Sequence, residues 1–186
     1  MFNFGIAFSA TQPGLNVYRF RASAKRLYRK RLRLDYPCSV RDFSLSSSYV
    51  VFYLSPYILD MEALIQEGRT LMDALRWEPE RGSQLCMVSR DSGEEAATIP
   101  IGQRYCLHLI NCFEADTRLM VDVIEYDRPL DDQYQVVPDL FTKQSEGQPV
   151  RFVMDMKSRD VIEQREIAYC LVPDFPSIDP RLITQP

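Results

Sequence analysis

Histidine is almost missing from this chain, since among 186 residues only His108 carries an imidazole. A site built from two or more of the chain's own histidines is therefore excluded. A Ser-His-Asp hydrolase would have to use His108 itself, and nothing in the sequence places a serine for it. The nucleotide and nucleophile signatures G-x-x-x-x-G-K-[ST], G-x-G-x-x-G and G-x-S-x-G are also absent. Five cysteines form an odd set without C-x-x-C spacing, and no basic stretch followed by an apolar one opens the chain. Reduced thiols and a cytoplasmic location are the expectation. No apolar run reaches the roughly 18 residues that a spanning helix needs, and N-x-[ST] does not occur.

What is present is ordinary soluble-globular composition, 46% hydrophobic and 26% charged, enough for one core and a single domain over residues 1–186. Ten Tyr and ten Phe, with frequent Val and Ile, point to an all-β fold with short helical insertions. The net charge of -4 hides an asymmetry: eight of the 22 basic residues lie between Arg19 and Arg33 with no acid among them. Such a stripe can meet phosphate backbones or anionic membranes. Here the charges alternate with Tyr18, Phe20, Leu27, Leu32 and Leu34, the pattern of a solvated hairpin face, so no nucleic-acid partner is expected. The carboxylates Asp131 and Asp132, and Asp122 near Glu125, read as solvated surface.

Period-two runs predict strands at Met1–Ala10, Leu15–Arg21, Leu27–Leu34, Ser39–Leu45 and Tyr49–Leu54, the last four forming consecutive antiparallel strands. Asp60 caps a short helix over Met61–Gln66, and Thr70 caps a second through Leu75. Further strands follow at Gln84–Arg90, Glu95–Ile101, Tyr105–Glu114, Leu119–Tyr126, Val150–Met156 and Val161–Ile167. A polar connector occupies Asp127–Gln148.

A repeat underlies this order. Outer hairpins end at Leu34, Ile101 and Ile167, and seven residues beyond each stand Arg41, His108 and Asp174, so that three polar residues share one position in successive units. Four-stranded units packed radially make a β-propeller, with the innermost strand of each blade lining the axis. A β-sandwich with evenly spaced hairpins is the structural alternative. Alternation along Tyr105–Glu114 sends Cys106, His108, Ile110 and Cys112 to one face, leaving the imidazole at least half buried. A lone buried histidine is more often a satisfied core residue than a ligand. Zinc shared with the nearby cysteines is excluded by reach, because Cys112 would lie about 13 Å from His108 along the strand.

Four stretches, Leu34–Phe43 (LDYPCSVRDF), Leu75–Gly82 (LRWEPERG), Cys106–Glu114 (CLHLINCFE) and Pro173–Arg181 (PDFPSIDPR), together resemble the carotenoid cleavage oxygenases over essentially the whole chain. The resemblance implies part of a seven-bladed propeller, about two full blades with parts of neighbours. It also implies a non-haem iron(II) held by four histidines from different blades. The chemistry implied is addition of dioxygen across a conjugated double bond of a carotenoid or apocarotenoid, giving two carbonyl products. His108 matches one ligand histidine. Asp174 matches a glutamate that accepts a hydrogen bond from a ligand and orients it, one methylene shorter here. Arg41 stands where the family has a ligand histidine in His-Asp-Phe, and a guanidinium has no lone pair to donate. The other two ligands are expected upstream and downstream of the range covered. Two readings follow: an oxygenase impaired in this chain, or a non-catalytic propeller remnant. An apolar lip at Tyr57-Ile58-Leu59 with Leu64-Ile65 offers a peripheral membrane contact, and open sheet edges predict self-association.

Overall fold

Strands form almost wherever period-two runs occur in the computed structural model, which describes residues 1–130, 145–171 and 173–185. Strands β1 (Phe2–Ala7), β2 (Gly14–Phe20) and β3 (Arg26–Arg33) make an antiparallel sheet in that order. After Pro37 the chain crosses to a second sheet with β4 (Phe43–Leu45) and β5 (Tyr49–Leu54). An excursion of β6 (Tyr57–Leu59), α1 (Met61–Ile65) and β7 (Leu75–Trp77) intervenes before β8 (Ser83–Ser89) and β9 (Glu95–Gly102) complete the order β4-β5-β8-β9. The third sheet runs β10 (Tyr105–Ala115), β11 (Arg118–Tyr126), β12 (Gln148–Asp155) and β13 (Asp160–Glu166). Residues 131–144 of the expected connector, with Asp131 and Asp132, lie outside the described residues.

The four strands expected to be consecutive therefore divide between two sheets, with the Pro37 segment as the crossover and β4 starting at Phe43 rather than Ser39. The sheets stack in chain order as propeller blades. Strand β5 shows why: its run Tyr-Val-Val-Phe-Tyr-Leu is apolar at every position because both faces are covered. Val50, Phe52 and Leu54 pack towards the first sheet with Leu15, Val17 and Leu32, while Val51 and Tyr53 pack towards the third with Leu119, Val121 and Phe152. Each fully buried Leu or Phe in these seams contributes about 1.5–3 kcal/mol. The three sheets do not close a ring among the described residues.

The excursion is a small antiparallel ribbon in which Tyr57 pairs with Trp77 and Leu59 with Leu75. Asp60 starts α1 as expected, its carboxylate accepting from the N–H groups of Glu62 and Ala63 at 3.0 Å, and these bonds hold its pKa below the usual value. The second helix does not form. Thr70 Oγ1 accepts from Asp73 N in a single turn, because β7 begins at Leu75 and draws the chain back to β6. Tyr57, Ile58 and Leu59, read as an apolar lip, are core residues. The aromatics Phe52 and Tyr53 are buried as well.

Candidate functional site

Strand β10 carries the site, and its shape departs from simple alternation. Register shifts fall between Cys106 and His108 and between Leu109 and Asn111, so Leu107 and Ile110 are each one extra residue against β11. A bulge turns every later side chain to the other face. Cys106, Leu109 and Cys112 consequently share the face that packs against the second sheet. His108, opposite Ile124, shares the other face with Tyr105, Asn111 and Phe113. The expected grouping of His108 with Cys106 and Cys112 is thus overturned, and the cysteines point away from the imidazole. The two bends leave His108 and Asn111 as the polar side chains of that face on an otherwise apolar strand.

His108 is 18% exposed and sits between two carboxylates from different segments. Its Nδ1 lies 4.0 Å from Asp42 Oδ2, an oxygen that also accepts from Leu109 N at 3.1 Å. Its Nε2 lies 3.4 Å from Asp174 Oδ1, and the Phe175 ring stands 5.1 Å away. That approach lacks hydrogen-bond geometry, and Nε2 is buried without a hydrogen-bond partner. Phe175 adopts a φ of 44°, left-handed for a non-glycine residue, and Gln185 O accepts from Asn111 Nδ2 at 3.1 Å. The segment from Asp174 to Gln185 is therefore laid across the inner face of β10.

Of the three equivalent polar positions, the structure brings His108 and Asp174 together. Arg41 is exposed just before β4, and its neighbour Asp42 is the residue that faces the imidazole. Only His108 lies within a strand; neither Arg41 nor Asp174 does. Asp42 escaped the sequence reading, although it stands beside Arg41 in Arg-Asp-Phe. A single imidazole with an unpartnered Nε2 suits one metal ligand. It does not make a complete site, and among the described residues no group of three or more His, Cys, Asp or Glu side chains could hold a metal ion.

Two of the carboxylates read as surface, Asp122 and Glu125, are buried, whereas Asp131 and Asp132 lie outside the described residues. Asp122 and Glu125 are each 5% exposed. Asp122 takes a two-pronged bond from Arg151, at 2.6 and 2.7 Å, and that guanidinium lies 5.1 Å over the Phe113 ring. Glu125 Oε1 accepts from Tyr53 OH at 2.6 Å, and burial nevertheless pushes the Glu125 pKa up. Near the site, burial and then the Asp174 charge raise the Tyr126 hydroxyl to about 12. At the far end of β10, Glu114 accepts from Ser46 Oγ, Ser48 N and Ser48 Oγ. Burial works to raise its pKa, but these bonds outweigh it and the pKa falls.

Comparison with known proteins gives this geometry a context. The profile of the family described as Retinal pigment epithelial membrane protein matches residues 1–186. A carotenoid isomerooxygenase of Drosophila melanogaster is 23% identical over 174 residues, covering 84% of this chain and 28% of that protein. An apocarotenoid-15,15'-oxygenase of Synechocystis is 24% identical over 149 residues, covering 79% of this chain and 30% of that protein. The chain thus spans under a third of these relatives' length. Among solved structures, a variant of the Synechocystis apocarotenoid oxygenase superposes with a TM-score of 0.82 at 23% identity, covering 100% of this chain and 38% of that one. A cobalt-substituted form of the same enzyme gives 0.82 at 22%, with the same coverage.

Proposed function

The chain belongs to the retinal pigment epithelial membrane protein family, which includes carotenoid and apocarotenoid oxygenases, and on that premise we propose that it is a segment of an oxygenase scaffold that cleaves a conjugated double bond of an apolar polyene with iron(II) and dioxygen. In this reading the chain taken alone is impaired. The observation that carries it is the buried, unpartnered Nε2 of His108 on the inner strand of a propeller sheet. Bound iron would supply the activation of dioxygen. The chain's residues do the rest: His108 offers one nitrogen, Asp42 and Asp174 flank the ring, and Phe175 shields it. Arg41 puts a fixed positive charge where the family has an imidazole, which opposes a dication nearby.

The similarity to a carotenoid isomerooxygenase and an apocarotenoid oxygenase supports the polyene class, and the solved cobalt-substituted form supports a metal-dependent chemistry. A cytoplasmic location with a peripheral membrane contact belongs to the same proposal. We place that contact at Ile65, Leu71 and Met72 around α1, which are exposed, instead of at the buried β6. The non-catalytic alternative is favoured by Arg41 alone.

Anaerobic titration of the 186-residue chain with iron(II) tests the reading. With a single histidine, His108 ring resonances report binding without overlap. Weak broadening without a stoichiometric endpoint is expected, with only a modest gain from Arg41→His. Tight one-to-one binding that His108→Ala abolishes would overturn the impairment. Absence of any His108 response would remove the metal role and leave the non-catalytic reading.

A further inference from the structure

The peptide unit that follows His108 is held at both ends. Its C=O accepts from the buried thiol of Cys106, with Sγ 3.2 Å away, and its N–H, that of Leu109, donates to Asp42 Oδ2 at 3.1 Å. A peptide unit is planar, so fixing both of its ends sets ψ of His108 and φ of Leu109 together. With them it sets the direction in which the imidazole leaves the backbone. This unit depends on such partners because it lies between the two bulges of β10, where the ladder to β11 is interrupted.

The two holds differ in what stands behind them. Cys106 belongs to β10 and moves with it. Asp42 is anchored elsewhere: its Oδ1 accepts from Phe43 N at 2.8 Å, and Phe43 opens β4, where it pairs with Phe52. The Phe43 ring meets Phe4 of the first sheet at 5.6 Å and Phe52 of the second at 5.9 Å. One carboxylate thus ties the direction of His108 to the packed seam between those two sheets. Its Oδ2 stands 4.0 Å from the ring Nδ1, beyond hydrogen-bond reach, so Asp42 acts on the imidazole through the backbone. Asp174 makes the same local bond, to Phe175 N at 2.9 Å, but its side chain is 59% exposed and it lies on no strand.

We infer that Asp42 is the residue that aims His108. It is a positioning residue that works through the peptide between His108 and Leu109 and leaves the imidazole as the group that meets a ligand. The inference rests on the proposed function only for the purpose it gives His108, that of a metal-binding group; the hold itself is a property of this chain's own residues.

A single histidine makes the test direct, and the test is run on the full chain without added metal. The Phe175 ring, centred 5.1 Å from that of His108, displaces the His108 Hδ2 and Hε1 resonances by its ring current. Asp42→Ala should carry both resonances towards the positions of an unstructured histidine and speed exchange of the Leu109 amide about tenfold, the loss of one hydrogen bond. Asp42→Asn keeps an oxygen for that N–H and should restore the ring signals. Glu114→Gln, which loosens the other tie of β10 to the second sheet, should leave them in place. Ring signals unmoved by Asp42→Ala, moved equally by Glu114→Gln, or left displaced by Asp42→Asn would each overturn the role. Should Asp42→Ala fail to fold, the wild type carries the test, and a Leu109 amide exchanging there at the rate of a free peptide would overturn it as well. Because no iron enters, a failed iron(II) titration strikes the metal reading and leaves this result standing.

Discussion

At the scale of single residues, Glu125 is the group whose ionisation the fold opposes most plainly at neutral pH. Burial raises its folded pKa above the unfolded value, so its contribution to stability is full below the unfolded pKa and is lost as pH rises through the folded one. Gln keeps an oxygen to accept from Tyr53 OH and has no charge to desolvate. Glu125→Gln should therefore be the more stable protein at pH 8, with the advantage shrinking towards pH 5, as read by thermal unfolding at both values. A wild type more stable than the variant at pH 8 would mean that the ionised carboxylate is satisfied in place. Nothing in Val-Ile-Glu-Tyr distinguishes such a residue from a solvated one. Its neighbour Asp122 is equally hidden in sequence, because the partner that makes its burial tolerable, Arg151, comes from the next strand 29 residues away.

At the scale of elements, β10 binds two sheets together at both ends. Leu109 N–H meets Asp42 before β4, and Glu114 grips the Ser46-Ser47-Ser48 turn after it. Glu114 has a depressed pKa, so its contribution is present above the unfolded value and disappears as pH falls through the folded one. Glu114→Gln should cost about 1.5 kcal/mol near neutrality and converge with the wild type in acid, measured by urea unfolding. Strand β10 itself was legible from its apolar run, and His108 from its uniqueness. The facing was not, because one extra residue at Leu107 and another at Ile110 leave no mark in composition. The ribbon of β6 and β7 was missed for a related reason: two three-residue strands separated by a helix and a turn carry too little alternation to register. Asp174 was reached by counting seven residues beyond the third outer hairpin and by its motif, although it lies on no strand and local alternation has no hold on it.

At the scale of the whole molecule, three sheets share two continuous seams, and β5 belongs to both. A chain built this way should unfold as one unit over residues 1–186, because losing either outer sheet exposes half of the middle one. The excursion tests that unity. Trp77, the sole tryptophan, stands edge-on to Tyr105 of the third sheet at 6.2 Å, and Tyr105 in turn meets Tyr57 at 5.9 Å. Its emission is thus a built-in gauge of whether the ribbon is docked, independent of the backbone signal dominated by the long strands. Red shift of that emission and loss of far-ultraviolet ellipticity should share one denaturant midpoint, whereas an emission change that runs ahead would make the ribbon a separately melting flap. The same indole, selectively excited, lies at the edge of the aromatic cluster that includes Tyr126, next to the Asp174 charge. A polyene absorbing in the near ultraviolet and brought to this inner face would drain its fluorescence by energy transfer, so the protein carries its own optical probe for the class of molecule its family handles.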